Sequence, residues 1–142
     1  LPAPGRGSGW LGGAGVRVSR GLVDAGAGWA SPTGQWPEAI HPATGGGCMG
    51  DGHHVWASAE WVLMVRNCFV REEGDRLILG AGIPPRWLAQ EKPIRFGPAP
   101  TSFGTISITI TPRPGASPDV SWEGRWHDSE PDIEVRLPDT KD

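Results

Sequence analysis

Strict alternation is clearest at Thr105-Ile106-Ser107-Ile108-Thr109-Ile110-Thr111, where isoleucine takes every second position between small polar side chains. A period of two predicts a half-buried strand. The same reading gives shorter strands at Arg76-Leu77-Ile78-Leu79, Pro93-Ile94-Arg95-Phe96, Val120-Ser121-Trp122-Glu123-Gly124-Arg125-Trp126 and Ile133-Glu134-Val135-Arg136-Leu137. Between the first two, Pro84-Pro85-Arg86-Trp87-Leu88 reads as a turn with one short helical twist. Short strands separated by proline and glycine predict a mainly β fold, an antiparallel β-sandwich.

The period changes upstream. Val55, Ala59, Val62, Val65 and Phe69 recur at spacings of four, three, three and four, which predicts one helix over 53–69. Trp56, Ala57, Trp61, Leu63 and Met64 make its other sides apolar as well, so the helix is expected to be buried on most faces. Asp51 stands where an N-cap or first-turn acid would be. Arg71-Glu72-Glu73-Gly74-Asp75 supplies the stop, and its charges read as solvated. A helix apolar all round needs other helices about it, and a five-stranded half covers one face only. The expected neighbours lie upstream of Leu1, as part of the same protein, or in another chain that covers helix 53–69.

Before the helix, no period is sustained. Val16-Arg17-Val18-Ser19-Arg20 alternates like a short strand, while 25–30 equally suits the end of a closely packed helix. Residues 32–52 are loop chemistry, with a breaker every few positions, yet they carry Trp36, Glu38, His41 and Asp51.

Composition sharpens this division. Glycine (22) and proline (15) make about a quarter of the 142 residues, near the range in which disorder sets in. However, 15 of the glycines fall within residues 1–52, and the chain carries eight tryptophans and a net charge of only −3. A disordered chain rarely has so many large rings and so little net charge. The mild acidity and scattered arginines give no footprint for nucleic acid, and no apolar run of 18 residues predicts a membrane span. No charged stretch followed by an apolar one opens the chain as a secretory signal would. It begins at Leu1 rather than a methionine, so it is expected to be processed or a piece of something longer. Cys48 follows a triple glycine and Cys68 ends the predicted helix, so two free thiols are the expectation.

The run Gly34-Gln35-Trp36-Pro37-Glu38-Ala39-Ile40-His41-Pro42 leads through Thr44-Gly45-Gly46-Gly47 to His54-Val55-Trp56-Ala57-Ser58-Ala59-Glu60-Trp61. It resembles the end of an α/α-toroid glycoside hydrolase of the six-hairpin, glucoamylase-like type. In that family a loop with a glutamate precedes the final barrel helix. The stretches Phe69-Val70-Arg71-Glu72-Glu73-Gly74-Asp75 and Gly82-Ile83-Pro84-Pro85-Arg86-Trp87-Leu88 are similar to the passage from barrel to C-terminal β-sandwich. Thr101-Ser102-Phe103-Gly104-Thr105-Ile106-Ser107 and Ile133-Glu134-Val135-Arg136-Leu137-Pro138 resemble strands of that sandwich in rhamnosidase-like enzymes. The resemblance covers about residues 32–138. It implies a poorly defined glycine-rich segment over 1–31, an active-site loop and the last barrel helix over 32–72, and a sandwich over 73–142.

The resemblance also implies carbohydrate as the partner and Glu38 as the catalytic base. Inverting glycosidases hold two carboxyl groups about 6.5–9.5 Å apart, and the partner acid would lie upstream. Trp36 and Trp56 are candidates for stacking on sugar rings, because an indole face complements the C–H face of a pyranose. His41 and His54 are further candidates for binding substrate, His54 by a hydrogen bond near the helix start. No metal is expected: Cys48, His53 and His54 give Cys-x4-His-His with one distant thiol, which matches no zinc framework. No cofactor is expected either, since Gly45-Gly46-Gly47 and the glycines of 5–15 lack the strand and helix of a phosphate or dinucleotide loop. A second reading is a non-catalytic β-sandwich that binds carbohydrate or acts as an interaction module. It predicts coplanar tryptophans exposed on the sheet.

Overall fold

The computed structural model describes residue 28, residues 30–49 and residues 54–138. The expected strand near Val16, the cap at Asp51, His53 and the charged stretch after Pro138 lie outside the described residues.

The described fold is mainly β. A two-residue pair, β1 (Ala39–Ile40) and β2 (Gly47–Cys48), precedes helix α1 (Val55–Phe69). Strands β3 (Val70–Glu73) and β4 (Arg76–Leu79) follow, then the single-turn helix α2 (Pro85–Leu88). The chain continues through β5 (Ile94–Thr101), β6 (Gly104–Arg113), β7 (Ala116–Trp126) and β8 (Asp132–Val135). β5, β6 and β7 form an antiparallel meander. β3 and β4 form a hairpin to which β8 adds in parallel, with Leu77 opposite Ile133.

The two three-stranded sheets share one core. Along β6 the predicted alternation puts Ile106, Ile108 and Ile110 inside. Leu77 and Leu79 of β4 meet them, together with Val70, Ile83, Leu88 and Ala99. Each fully buried aliphatic side chain contributes about 1.5–3 kcal/mol. Phe69 joins the parts: its ring stacks on Phe96 of β5 at 4.6 Å and on Trp87 of α2 at 5.8 Å. Gly82 lets the loop after β4 press against the helix end, because a Cβ there would sit 2.7 Å from Cys68 Cα.

Three expectations are corrected. First, the helix is not buried within the described residues. Val55 is 81% exposed, Trp56 51%, Val62 64% and Leu63 47%, and of the helix residues only Cys68 and Phe69 are buried. The β core is reached by the second half of the helix, through Trp61, Met64, Val65, Cys68 and Phe69, and the opening turns run off its edge. Second, the stretch read as a helix stop with solvated charges is strand β3. Its alternation sends Val70 inward, while Arg71 and Glu73 join an ionic layer on the outer face. In that layer Arg71 pairs with Glu73, Arg76 with Glu134 at 3.5 Å, and Arg136 with Glu134 at 2.5 Å. Ile78 lies on the same face, between Arg71 and Glu134 in the register, and is fully buried. The Arg136 hydrogen bond holds the Glu134 carboxyl below its ordinary pKa. Third, the antiparallel reading holds for the described sheets with one exception, β8, which lies parallel to β4.

Candidate functional site

The loop ahead of the helix is built from side-chain and main-chain bonds. Ser31 and Gln35 close a turn, Ser31 N–H donating to the Gln35 carbonyl at 2.8 Å and Gly34 N–H to the Ser31 carbonyl at 2.9 Å. Thr33 Oγ1 donates to Gln35 Oε1 at 2.7 Å. After Glu38, β1 and β2 form a small hairpin with Ala39 opposite Cys48 and Ile40 opposite Gly47.

The loop is fastened to the start of α1. His54 occupies the N-cap position, and its side chain makes no capping hydrogen bond. Its N–H donates to the Trp36 carbonyl at 2.9 Å. That bond brings His54 Nε2 to 3.8 Å from Glu38 Oε2. The two side chains are 29% and 35% exposed, so the pair is partly shielded and still reachable from solvent. Trp56 lies edge-on to the His54 ring at 5.7 Å and presents half its surface outward.

Four of the five residues singled out in the sequence, Trp36, Glu38, His54 and Trp56, thus meet at the helix start. His41 makes its hydrogen bonds within the hairpin. It sits at the hairpin turn, exposed, where its Nδ1 accepts from the N–H groups of Ala43 and Thr44 at 3.3 Å each. That ring nitrogen organises the turn, and Nε2 remains the available edge.

Trp61, read from the sequence as a core residue, belongs to this group too. Its ring stacks on Trp36, with centroids 5.0 Å apart and planes inclined by 29°. The spacing held the signal: residues 54 and 61 are seven apart, two turns of one helix face.

Two grooves lie elsewhere, and neither includes Glu38 in its lining. One, of about 670 Å3, runs between α1 and the edge strand β5, lined by Trp61, Leu63, Phe96, Pro98 and Pro100. The other, of about 750 Å3, lies between α2 and the β6–β7 turn, where Arg86, Glu91 and Arg113 meet several prolines.

No protein-family model, curated protein or solved structure matches this chain.

The chemistry of the site therefore rests on its own geometry. A carboxylate beside an imidazole can accept or deliver a proton, and the adjoining indoles give apolar faces against which a neutral, hydroxyl-rich ring can lie. Among the described residues, no group of three or more His, Cys, Asp or Glu stands together to hold a metal ion. Neither thiol is in a disulfide: Cys48 is half-buried, whereas Cys68 is buried and donates to the Met64 carbonyl. Burial pushes the Cys68 thiol up from its ordinary pKa. No described helix is long and apolar enough to cross a membrane.

Proposed function

We propose that this chain is the C-terminal part of a glycoside hydrolase, in which Glu38 is the general base that activates water and the bound partner is carbohydrate. The observation that carries this reading is the Glu38–His54 pair at 3.8 Å at the start of an apolar helix, with Trp56 edge-on to the His54 ring and the Trp36 carbonyl bonded to the His54 N–H. The carboxylate supplies the base, the indole faces supply sugar stacking, and His54 supplies a donor for a hydroxyl group. The exposed sides of α1 support the same reading, because a toroid would cover them with its other helices and bring the partner acid with them.

The test is hydrolysis of a panel of 4-nitrophenyl α- and β-glycosides by the chain together with whatever precedes it in its own reading frame. Turnover is expected to fall about 1,000-fold in Glu38→Gln, with the midpoint of thermal unfolding unchanged. Parent-level turnover in Glu38→Gln overturns the assignment of the base.

The alternative is a carbohydrate-binding sandwich without turnover. In its favour stands Trp122 of β7, which is partly exposed and whose Nε1 donates to Glu130. It predicts oligosaccharide binding that is lost in Trp122→Ala and indifferent to Glu38→Gln.

A further inference from the structure

The site holds a residue whose place the proposed reaction does not by itself explain. Glu38 belongs to a loop, and loops move more than the elements they join. Two contacts of Trp36 fasten this loop to α1: the main-chain bond from His54 N–H to its carbonyl and the stack of its ring on Trp61. One hydrogen bond fixes a point and leaves rotation about it free. Two stacked rings fix a plane. Glu38 lies two residues beyond Trp36, at most about 7 Å along an extended chain, so a rotation of about 10° at that point carries it through about 1 Å. A displacement of that size is enough to cost about 100-fold in a reaction that depends on placement.

Trp61 is suited to hold the plane because it is itself held. It projects from the middle of α1 and packs against the shared β core, while its ring face meets Trp36. Further along α1, Arg66 ties the helix to the sheets, donating to Glu72 Oε1 at 2.7 Å and to the Pro100 carbonyl at 2.8 Å. A continuous path thus runs from the sheets through α1 and Trp61 to Trp36 and on to Glu38.

We infer that Trp61 is a positioning residue for Glu38: through its stack on Trp36 it sets the carboxylate against His54. This rests on the reading of Glu38 as the base for its effect on turnover, but the geometric part stands apart from any activity. The experiment uses Trp61→Leu, which keeps apolar bulk for the core and removes the stack, and Trp61→Phe, which restores an aromatic face. Trp36→Leu removes the same stack from the loop side, and serves where Trp61→Leu fails to fold. In the parent, Glu38→Gln is expected to move the ring resonances of His54 in a 1H–13C spectrum. In Trp61→Leu or Trp36→Leu the same substitution is expected to leave them in place, and in Trp61→Phe to move them again. Turnover of the glycoside panel is expected to fall about 100-fold in kcat with KM nearly unchanged in Trp61→Leu, and to recover in Trp61→Phe. A His54 response to Glu38→Gln that survives in both leucine variants overturns the inference. Loss of that response in a protein whose parent hydrolyses no member of the panel keeps the positioning role and overturns the hydrolase reading alone.

Discussion

Strand β6 buries its isoleucines completely, whereas the first three turns of α1, just as apolar, leave valine, tryptophan and leucine at the surface. The two regions differ in cover and not in side-chain type. β6 is the central strand of its sheet, and the β3–β4–β8 sheet packs over one of its faces. α1 buries only Cys68 and Phe69 in that core and touches it with part of Trp61, Met64 and Val65. Apolar content states how much cover a segment wants; the fold decides how much it receives. The part of α1 that lacks cover is its start, which carries His54 and Trp56 ahead of Trp61. The proposed site is therefore assembled at the margin of the folded core and depends on a few tethers to it.

Thiol labelling makes the contrast widest. Cys48 in the hairpin is expected to react with a thiol reagent at a rate set by its partial exposure. Cys68, buried and held in its protonated form, reacts only when the core opens, at least about 1,000-fold more slowly. Equal rates, followed by mass spectrometry, would place the helix end outside the core.

Denaturant unfolding sharpens the same comparison. Ile108→Ala is expected to cost about 3 kcal/mol, and Val62→Ala less than about 0.5 kcal/mol. A Val62→Ala cost as large as that of Ile108→Ala would show that the outer side of α1 is covered in solution.

The smallest effect lies at the seam between the regions. Burial alone raises the Glu72 pKa, but hydrogen bonds from Arg66 and Ser102 and the Arg66 charge outweigh it, and the net direction is down. A carboxyl whose pKa is lower folded than unfolded stabilises the fold at neutral pH. That contribution begins to fade as pH falls below the ordinary glutamate value, roughly 4.3, and is lost through the lower folded value. The pair is partly exposed, so the contribution is expected to be about 1 kcal/mol or less. Glu72→Gln should flatten this part of the acid branch of the stability profile, measured by urea unfolding at several pH values.

The strands with a regular period were legible in the sequence: β6 from its isoleucines, β4 from Leu77 to Leu79, and α1 from its stripe. α2 was legible from Pro84-Pro85 followed by Trp87 and Leu88. β3 was not, because Arg71, Glu72 and Glu73 read as solvent until β4 and β8 supply opposite charges around Ile78. The parallel pairing of β8 leaves no local trace, since what fixes it is another strand far away in sequence. β1 and β2 are too short for any period to register. In the site, Trp36, Glu38, His54 and Trp56 stood out as chemistry-bearing residues in a short span. Trp61 was hidden by its apolar surroundings, which disguise a residue shared by core and loop.

β8 joins the hairpin of β3 and β4 only after the chain has passed through the whole β5–β7 meander. During synthesis, β4 must therefore wait with one long edge unsatisfied while the meander is made. β8 closes the sheet that the β3–β4 hairpin began. A nascent chain stopped before Asp132 is expected to present the open edge of β4 to any extended segment nearby.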